Sequence, residues 1–268
     1  MKPPRRFQRS QARNSAPPPG LERASEEIVG MRLNKYIAHS GVASRRVAGD
    51  MVKAGKVKVN GELLDNPAYQ IREGDVVEYE GKVVAPSERF FYILLNKPRN
   101  VITTTDDEHD RTTVMDLLDE PALARVRLFP VGRLDRDTTG LLLITNDGDV
   151  TTRLTHPRFE TSKIYEATLA RPFSELDLAK LQAGLDLDDG PFQVDWARYA
   201  KPNDPLTVTL QIHSGRNRIV RRAFEHLGYT VERLDRTYLA GLTKKNLPRG
   251  FYRFLSEEEV RRLKYFTP

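Results

Sequence analysis

The apolar residues of this 268-residue chain change their spacing twice. Residues 1–30 have no regular apolar period and are rich in Pro, Ser and Gln, a composition that predicts a disordered tail. Residues 31–82 begin with apolar positions at helical spacing and continue with short alternating runs. Residues 83–268 alternate short apolar strands with turns and a few helices. We therefore expect a tail, a small domain over 31–82 and a large domain over 83–268.

The small domain is predicted to contain two helices followed by a hairpin. The first helix has apolar residues at i, i+3 and i+4, namely Leu33, Tyr36 and Ile37. Ser44 can cap the second helix, whose apolar stripe is Val47, Met51 and Val52. The alternating segment 56–59 then leads into Asn60-Gly61, a strong hairpin signal, and a strand near 76–79 can complete a small sheet.

The large domain is predicted to be α+β, with a mixed and mainly antiparallel sheet. The expected strands are Phe91–Leu95, Leu141–Thr145, Tyr165–Leu169, Thr207–Ile212 and Thr230–Leu234. The expected helices are Val114–Leu118, Val150–Leu154, Ser174–Gln182, Asn217–Leu227 and Glu257–Leu263.

Composition narrows the function classes. The chain has 43 Lys and Arg against 37 Asp and Glu, and the net charge of +6 divides into +3 for residues 1–30, +2 for 31–82 and +1 for 83–268. The basic N-terminal segment, residues 1–82, suits a polyanion. The absence of Cys excludes disulfides, thiolate metal sites and a cysteine nucleophile.

Apolar runs are far shorter than the roughly 20 residues of a membrane span, and the basic N-terminus lacks the apolar core of a secretory signal. We expect a cytoplasmic protein without membrane contact.

Several cations of the small domain are candidates for phosphate contacts. They gather at the start and end of the second predicted helix and on the hairpin, where backbone amides also point outward. Charge alone fits a solvated helix face equally well. The candidates are Arg32, Lys35, Arg45, Arg46, Lys53, Lys56 and Lys58.

The main candidate for chemistry is a polar loop that precedes a strand apolar on both faces. Asp135 and Asp137 lie in this loop, and Arg133 and Arg136 flank Asp135. Cationic neighbours keep a carboxylate ionised, as a nucleophile or general base requires. An Asp-x-Asp loop also occurs as an ordinary turn or capping feature, so the residues alone leave both interpretations open.

Two further segments add charge and an aromatic ring. A helix after Ser214 would place Arg218, Arg221 and Arg222 on one basic face, with Arg216 just before it. Strand alternation would place Lys163 and Tyr165 on one face, where an inward tyrosine can stack against a flat base. A solvated helix and a core tyrosine are the alternatives.

Together these segments resemble the pseudouridine synthases of the RsuA/RluB family. The small domain, with MRLNKYIAHSGVASRR, resembles the S4 RNA-binding domain, also called the alpha-L motif. The large domain matches through Asn96-Lys97-Pro98, GRLDRDTTGLLLITNDG, KIYEATL and GRNRIVRRAF. The resemblance implies that Asp135 is the catalytic aspartate, that Tyr165 packs against the target uracil and that Arg221 pairs with Asp135. It also implies that Arg133, Arg136, Arg216 and Arg218 contact RNA.

Two positions depart from the family pattern. Asn100 stands where Gly is usual, and Asn tolerates a left-handed backbone. Ile219 stands where Gln is usual, which removes an amide near the site.

The implied reaction isomerises uridine within ribosomal RNA, most readily that of the large subunit, and needs no cofactor or metal. The family also favours a monomer. Whether Asp135 attacks the sugar or removes its proton stays open at this point.

Two other functions were weighed. The first is an RNA-binding ribosome-assembly factor that has the fold without the activity, against which the intact set Asp135, Tyr165 and Arg221 argues. The second is a metal-dependent nuclease that uses the acidic segment 106–110, whose consecutive acids lack a ligand spacing such as that of an EF-hand.

Overall fold

The computed structural model describes residues 21–22, 28–87, 89–120, 123 and 126–265. Most of the predicted tail over 1–30 lies outside these residues. Within it, strand β1 (Leu21–Glu22) pairs antiparallel with β6 (Arg89–Phe90), so this part of the segment follows a sheet rather than a disordered chain. Within the described part of the chain, no helix is long and apolar enough to span a membrane.

The N-terminal unit has the predicted order of two helices and a small sheet. Helices α1 (Leu33–His39) and α2 (Arg45–Lys53) precede four strands in the order β3-β2-β4-β5. Ser44 caps α2, since its hydroxyl accepts a hydrogen bond from the backbone N–H of Val47. The strands are β2 Val57–Val59, β3 Glu62–Leu63, β4 Val77–Tyr79 and β5 Lys82–Val83.

One detail of the predicted helix α2 is wrong. Val47 was expected in the buried stripe, but its side chain is 46% exposed. The buried face instead carries Ala48, Gly49 and Val52. Ala and Gly let α2 approach α1 closely, and a stripe defined only by large apolar residues misses that face.

The large domain is built on a nine-stranded sheet. Its order is β13-β14-β10-β15-β9-β7-β17, with β16 paired to β15 and β8 paired to β9. All its pairs are antiparallel except β9 with β15, which confirms a mixed, mainly antiparallel sheet. The strands are β7 Tyr92–Lys97, β8 Phe129–Pro130, β9 Thr139–Thr145, β10 Lys163–Leu169, β13 Trp196–Tyr199, β14 Thr207–Ile212, β15 Val231–Leu239, β16 Leu242–Thr243 and β17 Tyr252–Phe254.

Helices and a hairpin pack around this sheet. The helices are α3 Gly148–Thr155, α4 Glu175–Ala183, α5 Ile219–His226 and α6 Glu257–Lys264, and the hairpin is β11 Leu185–Leu187 with β12 Gly190–Phe192. The helix expected at 114–118 is a short 3-10 turn, Met115–Leu117. Asp116 accepts hydrogen bonds from the backbone and the hydroxyl of Thr113, which favours a tight turn over a longer helix.

Strand β9 forms the centre of the core and leads from the loop that carries Asp135. Every residue of β9 is buried. Leu142 and Ile144 belong to one apolar cluster, while Leu141 and Leu143 belong to another. Because successive side chains point to opposite faces, both faces of β9 are covered, and the loop before it has a rigid base.

Candidate active site

Asp135 lies at the wall of a partly open cavity of about 680 Å³. The backbone N–H of Thr138 donates to the carbonyl of Asp135 (3.1 Å), which forms a turn just before β9. The side chain of Asp135 is 32% exposed, so it is accessible from the cavity. The cavity brings together predicted residues from three distant segments, namely Arg133, Asp135, Lys163, Tyr165, Arg216 and Arg218.

Lys97 fixes the loop that carries Asp135. Its buried ammonium group donates to the carbonyls of Asp135 (3.0 Å), Arg136 (3.3 Å) and Thr138 (2.9 Å). Burial lowers the pKa of Lys97 to about 8, although the nearby charges of Asp137 and Asp135 act in the opposite direction. In the sequence, Lys97 is noticed only as part of the Asn96-Lys97-Pro98 motif. Its position at the end of the buried strand β7 is the signal that points to its role.

Asn100 reinforces the same loop. Its backbone has the left-handed conformation (φ 64°) that the Gly-to-Asn departure anticipated. Its N–H donates to the carbonyl of Arg136 (2.8 Å). The substitution therefore preserves both the turn and its contact with the Asp135 loop.

The expected pair between Arg221 and Asp135 is not formed. Nη2 of Arg221 lies 2.8 Å from Oδ2 of Asp137, and Asp135 instead faces Nη1 of Arg218 at 3.4 Å. The cause is local backbone geometry. Arg218 is the residue before α5 and has a left-handed conformation (φ 47°), so it does not continue the face of the helix.

The predicted basic face of α5 is therefore wrong as well. Arg221 is buried and donates to the carbonyl of Val231 (2.8 Å). Arg222 contacts Asp189 (2.7 Å), while Arg218 faces the cavity. The apolar stripe of α5 is as expected, with Ile219, Val220, Ala223 and Phe224 all buried.

Arg216 is engaged within the chain. Its guanidinium donates to the side chain of Asp189 (3.0 Å) and to the carbonyls of Gly190 (3.1 Å) and Pro191 (2.8 Å). It thus holds the turn between β11 and β12 against the cavity wall. Any contact of Arg216 with RNA adds to this structural role.

Tyr165 and Lys163 face the same cavity from β10, as alternation predicted. The Lys163 ammonium donates to the carbonyls of Thr161 (2.8 Å) and His213 (2.9 Å). Burial, and then the charge of Arg236, lower the pKa of Lys163 to about 8. Arg236 also lines the cavity and donates to the Tyr165 hydroxyl (3.4 Å). Arg236 is not predictable as a site residue from the sequence, because it follows the apolar run that ends at Leu234 and nothing in the pattern indicates its burial.

The remaining predicted RNA contacts differ in availability. Lys35 forms an ion pair with Asp149 (2.7 Å) that joins α1 to α3 of the large domain. Arg133 and Arg136 are exposed beside Asp135. The other predicted RNA contacts of the small domain, all exposed, are Arg32, Arg45, Arg46, Lys53, Lys56 and Lys58.

The acidic segment 106–110 is organised by an arginine. Asp107 accepts from the Arg111 side chain (2.5 Å) and from its backbone N–H (2.8 Å), and these contacts hold the pKa of Asp107 well below its usual value. Across the described ranges, no group of three or more His, Asp or Glu side chains is arranged to hold a metal ion.

The chain is similar to known proteins along most of its length. A family model described as RNA pseudouridylate synthase matches residues 91–226, and an S4 domain model matches residues 31–77. The ribosomal large subunit pseudouridine synthase B of Bacillus subtilis is 41% identical over 87% of this chain and 95% of its own length. The ribosomal small subunit pseudouridine synthase A of Salmonella typhimurium is 36% identical over 86% of this chain and 98% of its own length. A crystal structure of a pseudouridylate synthase aligns with a TM-score of 0.62 and 33% identity, over 87% of this chain and 99% of the other.

Proposed function

The chain belongs to the RNA pseudouridylate synthase family, and we propose that it isomerises uridine to pseudouridine in ribosomal RNA with Asp135 as the catalytic carboxylate. The observation that carries this proposal is the position of Asp135. Asp135 lines a partly open cavity whose walls also hold Tyr165 and Arg218. A nucleotide that enters this cavity meets a carboxylate, a ring and a cation in one place.

The reaction exchanges one bond to the ribose for another. The bond between C1′ and N1 of the base breaks, the base turns, and a bond forms between C1′ and C5. The C5 proton leaves and N1 gains a proton, so the product is an isomer. A carboxylate beside the sugar serves this chemistry as a nucleophile at C1′ or as a base at C2′.

The other cavity residues orient the reactants. Arg218 lies 3.4 Å from Asp135 and places a positive charge beside this carboxylate. Tyr165 offers an aromatic face against which the uracil ring packs. Lys97 and Asn100 hold the loop, so that the carboxylate needs little reorganisation during the reaction.

RNA binding is assigned mainly to the small domain. Its exposed cations suit the phosphate backbone, while Arg133 and Arg136 suit the phosphates next to the target nucleotide. Because Asp135 lies in a recess of the protein rather than on a flat face, the target base must leave its stack to reach it, which costs a few kcal/mol. We therefore expect the target in a loop or in an assembly intermediate of the ribosomal subunit.

The large ribosomal subunit is the favoured source of the substrate. The relative named for the large subunit is 41% identical, whereas the relative named for the small subunit is 36% identical. We expect this chain to act on that RNA as a monomer, in the cytoplasm and without a cofactor. Pseudouridine mapping of both ribosomal RNAs, in cells with and without this chain, tests the assignment. One position missing from the large-subunit RNA is expected, and no missing position in either RNA would refute the proposal.

Two isosteric variants test the role of Asp135. Asp135→Asn should abolish pseudouridine formation on the mapped RNA fragment while RNA affinity stays within about threefold, because only the reacting carboxylate is lost. Asp137→Asn is the matched control in the same loop, and it should retain measurable activity because Asp137 faces Arg221 rather than the cavity. RNA binding without pseudouridine formation by the wild type would favour an assembly factor instead.

A further inference from the structure

Arg236 is a cation buried in the cavity wall. Its register on β15 places it opposite Tyr165 on β10, and it is only 3% exposed. Its Nε donates to the carbonyl of Leu141 (2.7 Å), and its Nη1 lies 3.4 Å from the Tyr165 hydroxyl. Its Nη2 is buried and has no hydrogen-bond partner among the described residues. No carboxylate of the described chain forms an ion pair with this guanidinium.

Arg236 is held in place by the backbone around it. Arg236 pairs with Gly140 across the parallel contact of β15 with β9. The neighbouring Asp235 is not available to neutralise Arg236, because it accepts from Thr139 (2.7 Å) and pairs with Lys244. Arg236 therefore lines the cavity wall from a fixed position, and no carboxylate of the described residues forms an ion pair with it.

Lys163 is a second cation on this wall. Lys163 and Arg236 are called the cationic wall below. Both line the cavity, and the charge of Arg236 lies close enough to Lys163 to lower its pKa. The hydrogen-bond partners of the Lys163 ammonium are two backbone carbonyls rather than a carboxylate.

A buried and a half-buried cation without a carboxylate partner are unfavourable unless a bound group supplies negative charge. The exposed Arg133 and Arg136 suit RNA phosphates. The cationic wall instead lines the cavity beside Tyr165, whose ring suits a flat base. The negative charge that this wall meets is therefore carried by the base.

We propose that Arg236, supported by Lys163, stabilises the negative charge of the uracil while it is detached from the ribose. This inference rests on the proposed function and adds a catalytic group to it. When the C1′–N1 bond breaks, its electron pair stays on N1, and the ring carries one negative charge shared by N1, O2 and O4. Asp135 meanwhile bonds to C1′ or holds the C2′ proton, which it returns later. After the base has turned, C5 supplies the electron pair of the new bond, the C5 proton leaves and N1 is protonated.

A substrate with a better leaving base separates this role from a structural one. Single-turnover cleavage is measured on the mapped ribosomal RNA fragment with either uridine or 5-fluorouridine at the target position. Loss of that nucleoside, followed by mass spectrometry, reports C1′–N1 cleavage without requiring a C5 proton. Because fluorine withdraws electrons, the negative charge of detached 5-fluorouracil needs less stabilisation from the cationic wall than that of uracil. Arg236→Gln should slow uridine cleavage by about 100-fold and 5-fluorouridine cleavage by about tenfold or less.

Further variants complete the test. Lys163→Gln should also slow uridine cleavage more than 5-fluorouridine cleavage, but by smaller factors than Arg236→Gln. Arg236→Lys keeps the positive charge, so its uridine cleavage rate should lie between those of wild type and Arg236→Gln. Arg233→Gln removes an exposed cation from the same strand, and both rates should stay within about twofold of wild type. If Arg236→Gln does not fold, as circular dichroism would show, Lys163→Gln and Arg236→Lys decide the question.

Equal losses on both nucleosides would overturn the proposal, because a residue that only positions Tyr165 would slow both alike. Full activity of Arg236→Gln on uridine would overturn it too. In either case wild-type activity would leave the proposed function intact. Absence of wild-type cleavage in every ribosomal RNA would refute the proposed function, and this inference with it.

Discussion

Two lysine ammonium groups, Lys97 buried and Lys163 half-buried, contact backbone carbonyls in the site and have different roles. Lys97 holds the Asp135 loop by its backbone carbonyls, and Lys163 faces the cavity beside Arg236. Burial lowers the pKa of both lysines to about 8. Deprotonation removes a donor from the loop in one case and a positive charge from the wall in the other. Both losses act against catalysis.

The single-turnover rate should therefore fall as the pH rises through about 8. Stability should respond in the opposite direction. The folded pKa of each lysine lies below the ordinary 10.5, so the unfolded chain binds more protons between these values and this titration favours the folded state as the pH rises. Rates and melting temperatures measured from about pH 6.5 to 9.5 test both signs. A flat rate profile, or a fall in rate that merely follows unfolding, would contradict this interpretation.

The two arginines of α5 and its N-terminus that contact the Asp135 loop show the limit of residue-level reasoning. Sequence order and family resemblance led us to pair Arg221 with Asp135, whereas the structure pairs Arg221 with Asp137 and Arg218 with Asp135. The difference arises from the left-handed backbone of Arg218, which rotates its side chain out of the helical period. Helical spacing contains no information about a residue that lies just outside the helix.

At the scale of elements, the parallel contact between β9 and β15 joins the Asp135 loop to the cationic wall. Gly140 makes this contact possible. It has φ +106°, and an added Cβ would lie 2.5 Å from the backbone nitrogen of Arg236. A side chain at this position is therefore strained and also collides with a backbone that cannot move aside.

Gly140→Ala should destabilise the fold by about 2–5 kcal/mol, the combined effect of backbone strain and overpacking. Any folded fraction should be less active, because the strand that carries Arg236 is displaced. Gly241→Ala is the matched control, since Gly241 also has a positive φ (+86°) but has open space around it. It should lose only about 1–2 kcal/mol. Urea unfolding and single-turnover assays measure both effects, and equal losses would show that packing against Arg236 is unimportant.

The strands on either side of this contact show why some elements are predictable. β14 was predicted with its observed ends, Thr207–Ile212, because its side chains alternate between buried and half-buried positions. β15 was predicted as Thr230–Leu234 but extends to Leu239. The polar residues Asp235 and Arg236 interrupt its apolar pattern, yet both are buried through partners about 95 residues away in the sequence. The fold class followed from local patterns, but such distant partners could not be inferred.

At the scale of the whole molecule, charge is divided between two tasks. The large domain is almost neutral, with a net charge of +1, and its arginines are largely committed to internal partners such as Asp137 and Asp189. The small domain presents exposed cations and is joined to the large domain by the pair Lys35–Asp149 (2.7 Å). Affinity for RNA and selection of one uridine should therefore be separable by mutation.

The double variant Arg45→Gln/Arg46→Gln tests this separation. Each phosphate contact contributes about 0.7 to the slope of log affinity against log salt for a single strand, so loss of two contacts should reduce the slope by about 1.4. The single-turnover rate at saturating RNA should be unchanged, because neither side chain lines the cavity. Lys201→Gln, which removes an exposed cation of the large domain, should leave the slope unaltered. Titrations at several salt concentrations decide: an unaltered slope in the double variant would mean that the small domain does not hold the phosphate backbone through α2.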